Sequence, residues 1–237
     1  MTDIVKTEEH ALALTRPKGL EERSLKEDLI IPRAKLFHGL PSERDEFPNG
    51  QPGQVLNSIT QEVLPATFVP FMKFYQWIRW NPRNTKDPNF NPEFGPGDAV
   101  WKSFNPYDER VQREGAFGPN GEAPLATKYI SFIVKFDGVD MPVVLGFSKT
   151  SIRAGKQLLT TLEYLKCPIW HRKFKLGTRK EQGDAGSYYV YTIAPEGESD
   201  ADSRETCGAW YEGFKAKAQD LKIHDEAAES TTDKAPF

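Results

Sequence analysis

The residues whose types suit catalysis occur in two short stretches of this 237-residue sequence. The peptide "RAGKQLL" contains a Gly-Lys pair at Gly155, but position 150 is Thr150, where a phosphate-binding P-loop needs Gly. Asp137 and Asp140 lie in "DGVD", a sequence typical of a tight turn, and turn formation accounts for both carboxylates. We therefore predict that the protein has no catalytic residues and is not an enzyme.

Four side chains have the chemistry of a zinc site. Cys167 and His171 are four residues apart, but the other two candidates, Cys207 and His224, are 17 residues apart. Structural zinc sites usually combine two pairs of close ligands, so this spacing argues against one. Two cysteines are also too few for a disulfide framework. We predict reduced thiols, no metal and no cofactor.

The strongest chemical signal is a strand that carries rings and cations on the same face. The last ten residues of "ATFVPFMKFYQWIRW" alternate between two faces. One face of the predicted strand carries Phe71, Lys73, Tyr75, Trp77 and Arg79, and the other carries Met72, Phe74, Ile78 and Trp80. Proteins bind single-stranded nucleic acid with cations that contact phosphates and flat rings that stack on bases. The first face is therefore predicted to bind a single strand.

Further basic and aromatic residues extend the predicted site. They belong to the exit of the same strand, the long loop after it, a fourth strand with its following loop, and the last strand. These residues are Arg83, Trp101, Lys102, His171, Lys173, Lys175, Arg179, Lys180, Tyr189 and Tyr191. The charge distribution agrees: residues 68–180 contain 18 Lys and Arg against 10 Asp and Glu, whereas 1–67 contain 8 against 11 and 181–237 contain 5 against 13. A basic middle between acidic ends is typical of a polyanion-binding protein with an acidic tail.

The secondary-structure pattern that positions these residues is mainly β. The sequence predicts a strand up to Trp80, a long Pro-, Gly- and Asn-rich loop over 81–127, and a hairpin of "TKYISFIVKF" and "MPVVLGFS". A helix in "SKTSIRAGKQLLTTLEYLK" and strands in "IWHRKFKLG" and "SYYVYTIAP" follow. Five strands with a helix between the third and the fourth are the order of an OB-fold, a small barrel that binds oligonucleotides. We predict a five-stranded OB-fold-like barrel with a long loop after the first strand.

The barrel is predicted to lie in one domain between two arms. Residues 1–30 form a charged N-terminal arm, residues 31–221 form the nucleic-acid-binding domain with a C-terminal helix over about 203–221, and residues 222–237 form a flexible acidic tail. Other arrangements of five strands and a helix share this order, because strand pairing is not readable from one sequence. The sequence has no apolar run long enough to span a bilayer, and its N-terminus is too charged for a signal peptide. We expect a soluble protein.

The predicted tail ends in "STTDKAPF", where a proline and a phenylalanine follow a polar, acidic segment. This tip resembles that of bacterial single-stranded DNA-binding proteins, which end in acidic residues followed by Ile-Pro-Phe. Asp233, Pro236 and Phe237 match that pattern, whereas Lys234 stands where an acid is usual and Ala235 where Ile is usual. The body looks more like phage-encoded single-stranded DNA-binding proteins, which have an OB-fold and an acidic, aromatic-ended tail.

The resemblance implies a protein that coats single-stranded DNA, largely without sequence preference, during phage replication and recombination in the cytoplasm of a bacterial host. Its tail, through Asp233, Pro236 and Phe237, is expected to recruit replication or recombination proteins, and no membrane is expected among its partners. Two alternatives fit the same residues: an interaction or assembly factor whose basic, aromatic sheet docks onto another protein, and a single-strand annealing protein. The sequence leaves open the oligomeric state, a homo-oligomer included, and the preference for DNA or RNA.

Overall fold

Antiparallel strands form the framework of the protein, whose computed structural model describes residues 30–183 and 186–215. The strands in this part are β1 (Ala34–Leu36), β2 (Val55–Asn57), β3 (Thr67–Trp80), β4 (Ala99–Ser103), β5 (Ala126–Phe136), β6 (Pro142–Phe147), β7 (Arg172–Gly183) and β8 (Gly186–Glu198). The α-helices described are α1 (Pro41–Glu46), α2 (Glu109–Glu114), α3 (Ile152–Glu163) and α4 (Ala201–Lys215). Short 3-10 helices at Lys149–Ser151 and Ile169–His171 precede α3 and β7. The prediction of a mainly β protein is confirmed.

The main sheet is built around β3. β5 pairs along one edge of β3, from Phe68 to Arg79, while β7 pairs at the start of the other edge and β4 at its end. β6 extends the sheet from β5, and β8 extends it from β7. The strand order is therefore β6-β5-β3-β7-β8, with β4 beside the second half of β3, and all of these pairs are antiparallel. β1 and β2 form a separate two-stranded sheet.

The predicted barrel is not closed by strand pairing. Its two edge strands, β6 and β8, do not pair with each other within the described residues. The segment that contains β1 contacts both of them. Val144 of β6 donates its backbone N–H to the Pro32 carbonyl at 2.8 Å. The Tyr189 N–H of β8 donates to His38 Nδ1 at 3.3 Å. The N-terminal segment therefore satisfies backbone groups at both edges, which a closed barrel would satisfy by pairing the strands directly.

Two apolar cores lie on opposite faces of the main sheet. Phe132 of β5 belongs to the first core and the next residue, Ile133, to the second, as expected for successive residues of a strand. α3 packs on the first core through Leu158, and α4 packs on the second through Cys207. Burial raises the pKa of the free Cys207 thiol to about 12, so this cysteine is a protonated packing residue.

Two segments predicted as loops contain regular structure. The stretch 81–127 includes β4 and α2, and the loop predicted after the fourth strand, which contains Arg179 and Lys180, forms the end of β7, which continues to Gly183. The predicted hairpin, the helix after it and the last two strands are present as β5, β6, α3, β7 and β8. The predicted last helix is α4, whose described part begins at Ala201. Among the described residues, no helix combines the length and the apolar character needed to cross a membrane.

Glycines in α3 and α4 predict opposite effects of the same substitution. A Cβ added at Gly155 in α3 would lie 2.6 Å from Phe147 Cβ, whereas nothing lies within 4 Å of a Cβ added at Gly213 in α4. Because Ala is favoured over Gly in helices, Gly213→Ala should raise the free energy of unfolding by up to about 1 kcal/mol. Gly155→Ala should instead lower it by about 1–3 kcal/mol through overpacking. Urea unfolding of both variants measures this difference, and equal stabilisation by both would contradict the packing of α3 on β6.

Candidate nucleic-acid interface

The second half of β3, with β4 and the start of β5, forms the part of the main sheet next to the first core that is here called the arm. It is distinct from the N-terminal arm predicted for residues 1–30. In the register of this arm, Arg79 lies opposite Trp101 of β4, and Trp77 lies opposite Lys128 of β5. Side chains of directly paired residues share a face of the sheet. The face that carries these residues, here called the arm face, contains Lys73, Tyr75, Trp77, Arg79, Trp101 and Lys128. The four predicted β3 residues from Lys73 to Arg79 do share one face.

Two lysines lie over the rings in the middle of the arm face. The Nζ atoms of Lys73 and Lys128 are each 4.8 Å from the centroid of the Tyr75 ring, and Lys128 Nζ is 5.5 Å from that of Trp77. We call Lys73, Tyr75, Trp77 and Lys128 the lysine–aromatic ladder. Lys128 is not among the residues predicted from the sequence, because the pairing of β5 with β3 is not readable from one sequence. The one feature of the sequence that points to Lys128 is its place in the alternating segment "TKYISFIVKF".

Helix α2 covers the outer end of the ladder. Trp77 is 6% exposed, and a Cβ at Gly115, the residue after α2, would lie 3.2 Å from its Cδ1 atom. Trp101 is half-buried, and the guanidinium carbon of Arg110 lies 5.3 Å from the centroid of its ring. The Trp77 ring therefore packs beneath α2, and its stacking on DNA bases stays a prediction.

Glu114, at the end of α2, fastens this helix to the arm. Its carboxylate accepts hydrogen bonds from Trp101 Nε1 at 2.9 Å and from Arg113 Nη2 at 2.6 Å, and lies 3.7 Å from Arg79 Nε. Burial alone would raise the pKa of Glu114, but these hydrogen bonds and charges outweigh burial and hold that pKa below its usual value. Arg79 also donates to two backbone carbonyls, so its guanidinium is engaged within the arm.

Phe71 belongs to the second core and not to the arm face. Its side chain is fully buried, and its ring centroid lies 5.6 Å from those of Trp210 and Phe214 in α4. The register of β3 against β5 shifts between Pro70 and Met72, and such a bulge changes the phase of the alternation. The prediction that Phe71 shares a face with Lys73, Tyr75, Trp77 and Arg79 is wrong, because the bulge places Phe71 on the face opposite to the ladder.

The basic residues predicted around β7 do not join the arm face. In the described structure, β7 pairs with β3 only at Thr67 and Phe68, the end of β3 remote from the arm. Arg179 forms an ion pair with Glu181. Lys102 is exposed and follows Trp101 in β4, so its side chain points to the other face of the arm. The remaining residues, two of them half-buried and two exposed, are His171, Lys173, Lys175 and Lys180.

The two tyrosines predicted on β8 have different surroundings. Tyr189 is half-buried and lines the groove described below. Tyr191 is 7% exposed and packs in the first core, where its hydroxyl donates to the Ala34 carbonyl at 3.2 Å. Burial raises the pKa of this hydroxyl above its usual value. The Tyr191 ring is thus largely enclosed by the core, and its contact with DNA stays a prediction. The predicted tail residues Asp233, Pro236 and Phe237 lie outside the described residues.

A groove of about 1050 Å³ lies over β5 and β6. Tyr129 and Gly146 line it from the two strands. Because Tyr129 follows Lys128 in β5, the groove and the ladder lie on opposite faces of the arm. The loop after β3 contributes Arg83, the segment between β6 and α3 contributes Lys149, and the segment from β1 to α1 forms a further wall. Of the predicted residues, Arg83 and both β8 tyrosines line this groove.

The acidic side chains of the groove have partners within the fold. A Glu46 carboxylate oxygen lies 2.6 Å from Lys35 Nζ. Glu43 accepts two backbone N–H groups at 2.9 and 3.1 Å, and Asp98 accepts one at 2.9 Å. These hydrogen bonds and the ion pair reduce the repulsion that the carboxylates would exert on a bound anion.

Two basic residues of the groove are unpaired. Arg83 and Lys149 are exposed, and neither side chain makes a hydrogen bond or ion pair with a residue that the structure describes. The backbone of Lys149 has a φ of +44°, a left-handed conformation that costs a non-Gly residue about 1 kcal/mol or more. Strained residues of this kind cluster at functional sites. The groove therefore offers two free cations to an anionic ligand.

Aromatic rings and an arginine lie at the floor of the groove. Trp80 Nε1 donates to the Tyr129 hydroxyl at 3.3 Å. The guanidinium carbon of Arg33 lies 5.7 Å from the Tyr129 ring centroid, and Arg33 Nη2 donates to Gln76 Oε1 at 2.6 Å. Arg33 Nε is buried and has no partner among the described residues. The groove thus combines half-buried rings with hydrogen-bond donors, as a nucleic-acid site requires.

A comparison with known protein families assigns the chain to a group of phage proteins. The family model for the Pam3 phage gp34-like protein matches residues 8–220. The chain belongs to this family. No curated protein and no solved structure matches it. Within the described residues, no group of three or more His, Cys, Asp or Glu side chains is arranged to hold a metal ion.

Glu114→Gln is expected to loosen α2 without unfolding the sheet. The substitution replaces a carboxylate that accepts charge-assisted hydrogen bonds, each of which contributes about 1.5 kcal/mol, with a neutral amide. Backbone amides of residues 110–115 should exchange hydrogen roughly tenfold faster, while those of β3 and β5 keep their rates. Hydrogen exchange followed by mass spectrometry measures this change.

The pH dependence of the same exchange gives a second readout. Because the native pKa of Glu114 is lowered, its stabilisation is present above the ordinary carboxyl pKa and is lost as the pH falls through the lowered value. The Gln variant should lack this dependence. Glu93→Gln is the matched control, because Glu93 is an exposed glutamate in the loop after β3 whose carboxylate has no partner in the described chain. Equal exchange rates in the two variants would show that Glu114 does not hold α2.

Proposed function

We propose that this phage protein binds single-stranded DNA. The observation that carries the proposal is the position of the groove relative to the strands. β3, β5, β6, β7 and β8 follow the chain order of the five strands of an OB-fold, with α3 between the third and the fourth. OB-folds bind oligonucleotides over their second and third strands, between the loops after the first and the fourth. In this chain those two strands are β5 and β6, and the groove lies over them beside the loop after β3.

The fold that we propose is an OB-like barrel with an opening between β6 and β8. The segment that contains β1 fills this opening through its bonds to Val144 and Tyr189. The barrel therefore needs no direct pairing between its third and fifth strands, because the N-terminal segment satisfies the edges.

The chemistry of the groove suits a single strand without strong sequence preference. Arg83 and Lys149 are placed to contact phosphates, which are the same for every base. Trp80, Tyr129 and Tyr189 offer ring faces or edges to bases, and such stacking contributes about 1–3 kcal/mol per base with little selectivity. Phosphate contacts and stacking together favour non-specific coating of DNA over sequence-specific recognition.

The family to which the chain belongs is one of phage proteins. We propose that the protein coats single strands during phage replication and recombination and has no catalytic activity of its own.

We further propose that residues 222–237, through Asp233, Pro236 and Phe237, recruit other replication or recombination proteins. Deleting these residues should leave DNA binding intact while abolishing such recruitment.

Arg83→Ala combined with Lys149→Ala is expected to weaken binding of labelled oligo-dT. Each lost phosphate contact removes about 0.7 from the slope of log affinity against log salt concentration, so the slope should fall by about 1.4. At 0.1 M salt this corresponds to roughly 20-fold weaker binding. Fluorescence anisotropy titrations at several salt concentrations measure both quantities.

The matched control is Lys156→Ala combined with Lys166→Ala. Both lysines are exposed, neither side chain has a partner within the described ranges, and neither lines the groove, so this pair changes the charge equally. Binding of the original protein to single strands no better than to a duplex of the same length would refute the proposal. A flat salt response with a stable protein complex would indicate an assembly factor instead. Accelerated pairing of complementary strands would indicate an annealing protein.

A further inference from the structure

The start of β5 has a free edge. β3 pairs with β5 from Ala126 to Phe136 on one side, but β6 pairs only with residues 130–135 on the other. No strand of the described chain pairs with residues 126–129 on that side. Tyr129 points into the groove on one face of this edge, and Lys128 belongs to the ladder on the other. A polynucleotide that crosses residues 126–129 therefore reaches both surfaces.

The ladder presents two cations with little opposing charge. Lys73 and Lys128 are exposed, and their ammonium groups share the Tyr75 ring at equal distances. The one carboxylate paired with them in the described residues belongs to Glu163, lies 3.9 Å from Lys73 Nζ and is on a side chain that is 66% exposed. So exposed an ion pair is weak, and a phosphate competes with it readily.

We propose that the DNA strand leaving the groove crosses the free edge of β5 and continues onto the lysine–aromatic ladder, where Lys73 and Lys128 contact its phosphates. This inference rests on the proposed function and specifies the path of the strand beyond the groove. Tyr75 is a positioning residue on this path, because the cation–π contacts hold both ammonium groups over its ring. The ladder therefore binds the backbone of the strand, and stacking on bases is confined to the groove.

The arrangement predicts that binding depends on oligonucleotide length. An oligo-dT of about 5 nucleotides occupies the groove alone, whereas one of about 15 nucleotides reaches the ladder as well, within the range of OB-fold site sizes. Lys73→Gln combined with Lys128→Gln should weaken binding of the longer oligonucleotide roughly 20-fold at 0.1 M salt and lower its salt slope by about 1.4. Binding of the shorter oligonucleotide should change less than about twofold, because the groove retains both of its phosphate contacts.

Two comparisons make the test specific. Lys156→Gln combined with Lys166→Gln removes the same charge from α3 and its end, and should affect neither length strongly. Arg83→Ala combined with Lys149→Ala should weaken binding of both lengths, because both occupy the groove. Unchanged binding of the longer oligonucleotide by the Lys73/Lys128 variant, or equal losses at both lengths, would overturn the path. Absence of binding by the unaltered protein at either length would overturn the proposed function, and the path with it.

Discussion

The 14-residue strand β3 pairs with three other strands, and this pairing sets the geometry of both candidate surfaces. At its start, Phe68 lies opposite Phe136 and Phe174 within the first core. At its end, Arg79 lies opposite Trp101 in the arm. Because one continuous strand joins the core to the arm, the arm cannot turn relative to the core without breaking backbone hydrogen bonds between β3 and its neighbouring strands. The register of β3 against β5 thus fixes which side chains face the groove and which face the ladder.

The bulge between Pro70 and Met72 divides β3 into two halves with different phases. Val69, before the bulge, and Phe71, within it, both face the second core. The residues from Lys73 onward alternate as the sequence predicts. Alternation was therefore readable on each side of the bulge, but its phase across the bulge was not. Pro70 is the one local sign of the bulge in the sequence. A proline has no N–H to donate to a neighbouring strand, and it is found in sheets at edges and bulges.

The strands β3, β5, β6, β7 and β8 and the helix α3 follow from periodicity, but the groove and the ladder follow from contacts between distant segments. Lys128 joins Tyr75 through strand pairing, and Tyr191 is buried because the segment before α1 covers β8. The loop after β3 has a composition typical of irregular chain, yet Asn81 Nδ2 lies within hydrogen-bonding distance of three of its backbone carbonyl oxygens, at 2.9, 2.9 and 3.0 Å. One buried amide thus orders a wall of the groove, and composition carries no signal of such an interaction.

The charge of a segment and the charge it offers to a ligand are different quantities in this fold. Arg79 and Arg179 contribute to the excess of basic residues in the middle of the chain, but both already have carboxylate partners. A phosphate that displaced such a partner would exchange one ion pair for another and gain little. Arg83, Lys149 and Lys128 have no ion pair within the described residues, so a phosphate can pair with them without displacing a carboxylate. These unpaired cations lie on both faces of β5, on either side of its free edge, so the charge that the fold offers to a polyanion comes from a few side chains around this one strand and not from the whole basic segment.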